Sequence, residues 1–253
     1  MNSEKVKDTP AEQANIINDG LTLLQNDEHL KFGTDALLLA AFVKKAQKGA
    51  ELGAGNGVIS LLCAQRGRLE HIDGWEIQHD AAELFKRNVE ENGFSSRISV
   101  INEDLRSVRG EIEGRYNAVF TNPPYMKVDA GKDCSFLQKQ IARHEVAGDI
   151  YDFCRAGAKL LAYGGDFYCV YRPDRLVDLL LAMRQAGIEP KLLLTVCESP
   201  RHSPCMVLVK GKKGGNAGLY VPPVFFISEG ENKSEDYLYL LNKGEFPKKY
   251  LRP

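Results

Sequence analysis

The sequence of 253 residues lacks local cysteine pairs, long apolar runs and a dominant charge. Its six cysteines include no Cys-x-x-Cys pair, so a zinc site or redox pair is not indicated and free thiols are expected. The longest wholly apolar run, residues 36–43, is far shorter than the ~20 residues that span a bilayer. The first residues are polar and mixed in charge, unlike a signal peptide. We therefore expect no membrane partner, no metal and a cytoplasmic location.

Charge is nearly balanced over the whole chain but unevenly distributed. Lys and Arg number 33 against 34 Asp and Glu, and the 43% of hydrophobic residues is typical of a soluble globular protein. Residues 201–253 carry nine Lys or Arg against five Asp or Glu. This basic end is a candidate for contacting phosphates, and a solvated basic tail is the alternative.

Strand and helix patterns alternate from about residue 49, which predicts an α/β fold with helices on both faces of a mostly parallel sheet. The predicted strands are 49–52, 71–76, 98–101, 116–121, 166–171, 192–197 and 205–209, and the predicted helices are 58–66, 79–91, 151–161 and 176–186. No helix-length segment separates the last two strands, so they should form an antiparallel hairpin. The sequence thus predicts a seven-stranded sheet with an antiparallel C-terminal hairpin strand.

The two ends of the chain lie outside this alternation, although we expect residues 1–253 to form a single domain. Residues 1–33 are interpreted as a short N-terminal extension with a possible hairpin, whose arms would be 21–25 and 29–32. Thr34 or Asp35 could then cap a helix over residues 36–43. Residues 211–253 show turn signals without clear periodicity and are interpreted as a C-terminal tail.

A glycine-rich loop, Glu51-Leu52-Gly53-Ala54-Gly55-Asn56-Gly57, follows the first strand of the alternation and opens a helix. Glycines let a backbone turn sharply and approach a ligand, and a helix N-terminus offers free N–H groups. A dinucleotide fingerprint would need a third glycine at Val58, and no Gly-Lys-Ser/Thr follows for an ATP-type loop. Glu51 would repel a pyrophosphate but could receive the ammonium of an amino-acid group.

Acidic residues end the next two predicted strands. Glu76 could accept hydrogen bonds from both hydroxyls of a ribose, and Asp104 could accept from an adenine amino group. Either residue could instead be a solvated carboxylate. With the glycine loop they describe a nucleoside that carries an amino acid, which predicts S-adenosylmethionine as the cofactor. The cofactor-binding residues predicted on this basis are Glu51, Gly53, Gly55, Gly57, Glu76 and Asp104, with the adjoining Ile77 and Leu105.

Asn122-Pro123-Pro124-Tyr125 follows the fourth strand of the alternation and is the most specific motif. Its two prolines make a stiff turn, because each fixes φ and restricts the residue before it. The Asn122 side-chain oxygen and the Pro123 carbonyl could accept both hydrogens of an adenine amine and aim its lone pair at a sulfonium methyl group. Tyr125 would stack on the base. These four residues are the predicted catalytic site, and a loop exit with a capping Asn is the structural alternative.

With these motifs the sequence resembles the class I S-adenosylmethionine-dependent methyltransferases, in the subgroup that carries Asn-Pro-Pro-Tyr. The segment from Phe32 to Ala40 is similar to the cofactor-flanking segment of the tRNA1(Val) adenine-N6 methyltransferases. Further similar segments are Asp19-Gly20-Leu21 with Gln25, Arg201-His202, and Lys210-Gly211-Lys212-Lys213-Gly214. The resemblance implies that Phe32, Thr34, Asp35 and Asn122 contact the cofactor. It also implies a tRNA substrate, methylated at N6 of the adenosine immediately 3′ of the anticodon.

Other families remain alternatives to this interpretation. Glutamine-N5 methyltransferases of translation release factors share the tetrapeptide, but they usually carry a helical N-terminal domain and a proline-rich segment before the glycine loop. Guanine-N2 methyltransferases of rRNA usually have Phe in place of Tyr125. A catalytically inactive RNA-binding protein of the same fold is the third alternative. We expect the protein to be a monomer.

Overall fold

The computed structural model describes residues 12–16, 20–26, 33–109, 112–124 and 148–251. The strands of this part of the chain are β1 (Glu12–Ile16), β2 (Thr22–Asn26), β3 (Ala46–Leu52), β4 (Leu69–Trp75), β5 (Ile98–Ile101), β6 (Tyr116–Thr121), β7 (Leu161–Tyr171), β8 (Ile188–Cys197), β9 (Pro204–Lys213), β10 (Phe225–Phe226), β11 (Ser228–Glu229) and β12 (Asn232–Lys233). The α-helices are α1 (Thr34–Phe42), α2 (Val58–Gln65), α3 (His79–Glu91), α4 (Ile150–Leu160), α5 (Leu176–Gln185) and α6 (Glu235–Lys243).

Eight of these strands form one sheet in the order β10-β8-β9-β7-β6-β3-β4-β5. Strands β5, β4, β3, β6 and β7 are mutually parallel, whereas β9 runs antiparallel to both of its neighbours, β7 and β8. The predicted α/β class and the antiparallel hairpin of β8 and β9 are confirmed. The predicted count of seven strands is wrong by one, because the two-residue strand β10 pairs in parallel with β8 at the edge of the sheet.

Hydrophobic side chains cover both faces of the sheet. In β7, Phe167 and Cys169 belong to one buried cluster and Tyr168 and Val170 to another. Successive side chains of a strand point to opposite faces, so the two clusters lie on opposite sides of the sheet. Helices α1, α2 and α3 contribute to the Tyr168 side, and α4 and α5 contribute to the Phe167 side.

The start of the chain differs from the predicted hairpin. Strand β2 matches the first predicted arm, but its partner is β1, with Ala14 opposite Leu24 and Ile16 opposite Thr22. The predicted second arm, residues 29–32, lies outside the described residues. Gly33 caps helix α1 without a side-chain bond, so the expected capping by Thr34 or Asp35 is wrong.

The segment predicted as an aperiodic tail folds onto the sheet. Phe225 of β10 packs edge-on against Phe246 and Tyr250, with ring centroids 5.0 and 5.2 Å apart. Phe246 in turn packs edge-on against Phe42 of α1, with ring centroids 5.9 Å apart. Ser234 caps helix α6 by accepting a hydrogen bond from the backbone nitrogen of Tyr237 at 3.1 Å. That residues 1–253 form one domain stays a prediction.

Several basic groups of residues 201–251 have partners within the protein. Lys210 Nζ lies 2.9 Å from a carboxylate oxygen of Asp166. Lys213 Nζ donates to the Leu161 carbonyl at 2.7 Å, and Lys249 Nζ lies 2.7 Å from Asp236. These bonds argue against using the three ammonium groups as phosphate ligands in this conformation, and they weaken the predicted role of the basic end.

No helix of the described ranges has both the length and the apolar character needed to cross a bilayer. All five cysteines that the structure describes are free. Cys63, Cys154, Cys169 and Cys197 are buried, as expected for core thiols, whereas Cys205 is exposed.

Candidate active site

Four parallel strands end level with one another at one edge of the sheet. Leu52, the last residue of β3, pairs with Trp75 of β4 on one side and with Thr121 of β6 on the other. Trp75 also pairs with Ile101, the last residue of β5. The segments that follow these four strands carry the glycine loop, Glu76, Asp104 and Asn122, so the fold gathers these predicted residues along one edge. Ligands of open α/β sheets bind outside this edge.

The three glycines of the loop all have left-handed φ angles: 68° at Gly53, 56° at Gly55 and 82° at Gly57. A Cβ at Gly57 would lie 1.8 Å from Phe85 Cδ2, so this glycine allows α3 to pack closely. A Cβ at Gly55 would meet nothing within 4 Å. Gly55 is therefore the loop residue whose backbone is open to a ligand.

Glu51 is a buried carboxyl group just before the loop. Its Oε2 accepts hydrogen bonds from the backbone nitrogen of Ser60 at 3.0 Å and from the Ser60 hydroxyl. Burial raises the pKa of Glu51 to about 8, against a lowering effect of the two Ser60 bonds and a smaller raising effect of Glu76. A buried carboxyl group of this kind is suited to receive a cation.

Glu76 connects the end of β4 to the glycine loop. One carboxylate oxygen accepts from the backbone nitrogen of Gly55 at 2.8 Å, and the other accepts from that of Gln78 at 2.8 Å. Asn102 Nδ2 donates to the carbonyls of Glu76 at 2.7 Å and Ile77 at 3.2 Å. The structure thus joins Glu76 to the loop, where two backbone bonds fix its carboxylate, and Asn102 holds the adjoining Ile77 by its carbonyl.

Asp104 and Leu105 follow strand β5. The Arg106 guanidinium bonds both Asp104 oxygens, at 2.9 Å from Nε and 2.6 Å from Nη2. These bonds, with that of the Arg106 backbone nitrogen, hold the pKa of Asp104 below its ordinary value. Leu105 is buried and begins a short 3-10 helix. The Asp104 carboxylate is ionised but already has a charged partner, which the sequence pattern did not predict.

Asn122 has one satisfied and one unsatisfied end. Its Nδ2 donates to Asp35 Oδ2 at 2.7 Å. Its Oδ1 is buried and has no hydrogen-bond partner within the described part of the chain. Buried acceptors are almost always paired, so this oxygen is a candidate to bind a ligand donor. Pro123 is buried beside it and Pro124 is half-buried.

Thr34 and Asp35 occupy the first turn of α1. Asp35 Oδ1 accepts from the backbone nitrogen of Ala36 at 2.9 Å, so both of its carboxylate oxygens are engaged. The Thr34 side chain lies next to Tyr237 of α6, which places the C-terminal helix at this end of α1. Sequence reasoning missed Tyr237, although Ser234 followed by Glu235 and Asp236 is a helix-start signal.

Two predicted site residues, Phe32 and Tyr125, lie outside the residues that the structure describes. Nowhere in the described ranges do three or more His, Cys, Asp or Glu side chains converge in a way that could hold a metal ion. Gln25, quoted above for the resemblance, lies on β2, and its Nε2 is buried with no partner among the described residues. It is a second unsatisfied amide group in addition to Asn122.

In this sheet a glycine loop follows the parallel strand β3, and the antiparallel strand β9 is inserted between β7 and β8. This arrangement defines the fold of a class I methyltransferase. The family model of the methyltransferase small domain matches residues 26–175. The chain is 32% identical over 184 residues to a tRNA1(Val) (adenine(37)-N6)-methyltransferase of Cronobacter sakazakii (strain ATCC BAA-894), a match that covers 71% of this chain and 74% of that protein. The chain belongs to the methyltransferase small domain family and to the tRNA1(Val) (adenine(37)-N6)-methyltransferases.

Other similar proteins agree with this assignment. A tRNA1(Val) (adenine(37)-N6)-methyltransferase of Parabacteroides distasonis is 28% identical, covering 72% of this chain and 76% of its own. A predicted O-methyltransferase from Agrobacterium tumefaciens has a TM-score of 0.67 at 22% identity, covering 84% of this chain and 97% of that chain. The M. jannaschii TYW2 in complex with AdoMet has a TM-score of 0.57 at 13% identity, covering 82% and 88%. At these identities the two crystal structures show the fold alone.

Proposed function

We propose that this protein transfers a methyl group from S-adenosylmethionine to N6 of adenine 37 of tRNA1(Val). Membership of the family supports the reaction and its substrate. The observation that carries the proposal is Asn122: a buried amide oxygen without a partner among the described residues, at the carboxyl end of β6, with its nitrogen held by Asp35. This oxygen is positioned to accept a hydrogen bond from an amino group.

The residues beside the loop fit the cofactor. S-adenosylmethionine supplies an electrophilic methyl group on a sulfonium. Glu51 would receive its ammonium group, because the buried carboxyl group gains a counter-charge. Gly53, Gly55 and Gly57 would let the backbone approach it, and Glu76 would accept from the ribose through lone pairs that its two backbone bonds leave available. Asp104, beside Leu105, would accept from the adenine amine while it keeps Arg106.

Asn122 and Pro123 would act on the substrate amine. The lone pair of an exocyclic adenine amine is delocalised into the ring, so the amine is a poor nucleophile. Two acceptors, the Asn122 oxygen and the Pro123 carbonyl, would grip its two hydrogens and localise that lone pair. No base is needed before attack, because the nitrogen becomes acidic once it carries the methyl group and then releases one proton. Tyr125 would stack on the base, and Pro124 would stiffen the turn.

A labelling experiment tests the substrate. Transcripts of tRNA1(Val) with adenine or guanine at position 37 are incubated with the protein and S-adenosylmethionine labelled in its methyl group. We expect label in the adenine transcript and none in the guanine transcript. Release factor and rRNA are tested in parallel, and label in either of these alone would overturn the proposal in favour of a glutamine-N5 or guanine-N2 methyltransferase. No label in any substrate, with intact cofactor binding, would indicate an inactive RNA-binding protein.

Asn122→Ala tests the catalytic role. We expect it to keep its affinity for S-adenosylhomocysteine and to lose turnover by ~10²–10³-fold, as for other lost preorganised polar groups. Asn117→Ala, on the strand that precedes Asn122, is the control, since the Asn117 side chain accepts from the backbone nitrogen of Lys48 away from the site. Equal losses of binding and turnover in Asn122→Ala would contradict the role given to Asn122.

We also infer that the protein acts as a monomer in the cytoplasm, where a tRNA substrate is found. Light scattering on the purified protein, alone and with tRNA, measures the oligomeric state. A dimer under both conditions would contradict the first part of the inference, and recovery of the protein with a membrane fraction would contradict the second.

A further inference from the structure

Asn88 of α3 and Asn92, the C-cap residue of that helix, hold strand β2 by its backbone. Asn88 Oδ1 accepts from the Leu24 nitrogen at 2.7 Å, and Asn88 Nδ2 donates to the Leu24 carbonyl at 3.2 Å. One turn later, Asn92 makes the same pair of bonds with Thr22, at 2.9 and 2.7 Å. Each side-chain amide thus pairs with the N–H and C=O of one β2 residue, as a neighbouring strand would.

Only Asn88 also reaches the glycine loop. Its Nδ2 donates to the carbonyl of Asn56 at 3.0 Å, whereas the second bond of Asn92 Nδ2 goes to the Asn88 carbonyl within α3. Asn88 is 0% exposed, so its amide is fully desolvated and all of its bonding groups are used within the protein. It connects three segments that are distant in sequence: β2, α3 and the loop.

The bond from Asn88 completes the fixation of the loop backbone. The Asn56–Gly57 peptide is held on both sides, by Asn88 at its carbonyl and by the Ala54 carbonyl, which accepts from the Gly57 nitrogen at 2.9 Å. Glu76 holds the Ala54–Gly55 peptide through the nitrogen of Gly55. A loop with left-handed residues has many alternative conformations, so fixed peptides lower the entropy lost on binding.

We propose that Asn88 is a positioning residue for the cofactor, which couples strand β2 to the conformation of the glycine loop. The inference rests on the proposed function, in that the loop is taken to bind S-adenosylmethionine. Asn88 touches neither cofactor nor substrate in this proposal. Its effect is on cofactor affinity, and the N-terminal strand is thereby part of the cofactor site.

The matched variants are Asn88→Ala and Asn92→Ala, because each removes an equivalent pair of bonds to one β2 residue and only the first frees the loop. Affinity for S-adenosylhomocysteine is measured by titration calorimetry. We expect Asn88→Ala to weaken binding at least ~10-fold more than Asn92→Ala, with kcat at saturating S-adenosylmethionine close to that of the unsubstituted protein. Equal binding by the two variants would overturn the proposal. Failure of the unsubstituted protein to bind would instead refute the proposed function.

A second measurement keeps the inference testable if Asn88→Ala does not fold. Hydrogen exchange of the unsubstituted protein is followed with and without saturating S-adenosylhomocysteine. Because coupling between two sites is reciprocal, ligand binding should slow exchange at the Leu24 amide as well as at the loop amides. Protection of the loop without any change at Leu24 would overturn the coupling.

Discussion

Asn122 Nδ2 donates a hydrogen bond of 2.7 Å to Asp35 Oδ2, across 87 positions of sequence. The two ends of an amide are alike in shape, and this bond fixes which end is the nitrogen. The carboxylate is itself held, since Asp35 Oδ1 accepts from the Ala36 nitrogen at 2.9 Å. The Asn122 oxygen is therefore the end left for an amino group, so Asp35 has a positioning role beside its predicted contact with the cofactor.

Asp35→Ala should lower kcat for tRNA methylation by at least ~10-fold, because an unfixed amide can present its nitrogen to the substrate amine. Asp35→Asn keeps an oxygen that can accept from Asn122, so we expect it to retain most of kcat. Steady-state rates at saturating S-adenosylmethionine and tRNA give the comparison, with the Kd for S-adenosylhomocysteine measured alongside. Equal loss in the two variants, or a loss confined to Kd, would show that Asp35 does not orient Asn122.

Glu51 predicts a pH dependence of cofactor binding. Burial raises its pKa to about 8, so at pH 7 the free protein holds a neutral carboxyl group. An ammonium group favours the carboxylate, so binding at pH 7 should release a proton, and affinity should rise with pH toward 8. It should fall again above that, as an α-amino group with a pKa of ~7.7–8.0 loses its charge. Calorimetry between pH 6 and 9, in buffers of different ionisation enthalpy, measures both effects.

Glu51→Gln supplies the control for that profile and a test of stability. The folded pKa lies above the ordinary value of 4.5, so the contribution of Glu51 to the free energy of unfolding falls as pH rises from 4.5 to about 8. The variant lacks this loss. We expect its Tm without ligand to exceed that of the unsubstituted protein at pH 8, with little difference at pH 4.5, and its cofactor affinity to be weak and to show no rise between pH 6 and 8. An affinity that still rises between pH 6 and 8 in Glu51→Gln would assign that titration to another group.

The sequence predicted the sheet better than its connections to the chain ends. Strands β3 to β7 have local apolar patterns and turn signals, and the strand-end acids follow from them. That β9 lies between β7 and β8 depends on pairing, which local periodicity does not encode. Strand β10 has two residues, too short for any pattern, and is specified by the packing of Phe225 on Phe246.

The residues of the candidate site could be predicted from the sequence, but the hydrogen bonds between them could not. Glu51 lies near the end of a strand, and Glu76 and Asn122 directly follow strands, so their edge of the sheet was foreseeable. Two of these hydrogen bonds join distant positions: Asp35 to Asn122, 87 positions apart, and Asn88 to Asn56, 32 positions apart. No spacing pattern in the sequence predicts either bond. Arg106 beside Asp104 was visible two positions away, but not which oxygens it would bond.

Phe246→Ala tests whether the C-terminal segment stabilises the fold. Phe246 is 1% exposed and packs on both Phe42 and Phe225, so its truncation should cost ~3–5 kcal/mol of unfolding free energy. Tyr239→Ala on α6 is the control, since Tyr239 is 40% exposed and surface truncations usually change stability by less than ~0.5 kcal/mol. Urea unfolding followed by circular dichroism measures both. Similar urea midpoints for the two variants would mean that the C-terminal segment packs on the sheet without adding to the stability of the fold.

Gly55→Ala separates the conformational role of the loop from its contact with a ligand. Gly55 has φ 56° with open space where a Cβ would lie, and Gly67 matches it closely, with φ 58° and equally open space at the end of α2. Alanine in this left-handed region should cost ~1–2 kcal/mol at either position, so both variants should lose similar amounts of stability.

Only the methyl group added by Gly55→Ala would occupy the space that the proposed cofactor approaches. We therefore expect Gly55→Ala to raise the Kd for S-adenosylhomocysteine more than ~10-fold, a change of about 1.4 kcal/mol, while Gly67→Ala binds normally. Calorimetry on the two variants, at a temperature where both are folded, measures the difference. Equal affinities would place the cofactor away from the open side of Gly55, because strain and stability are matched between the two positions and only their surroundings differ.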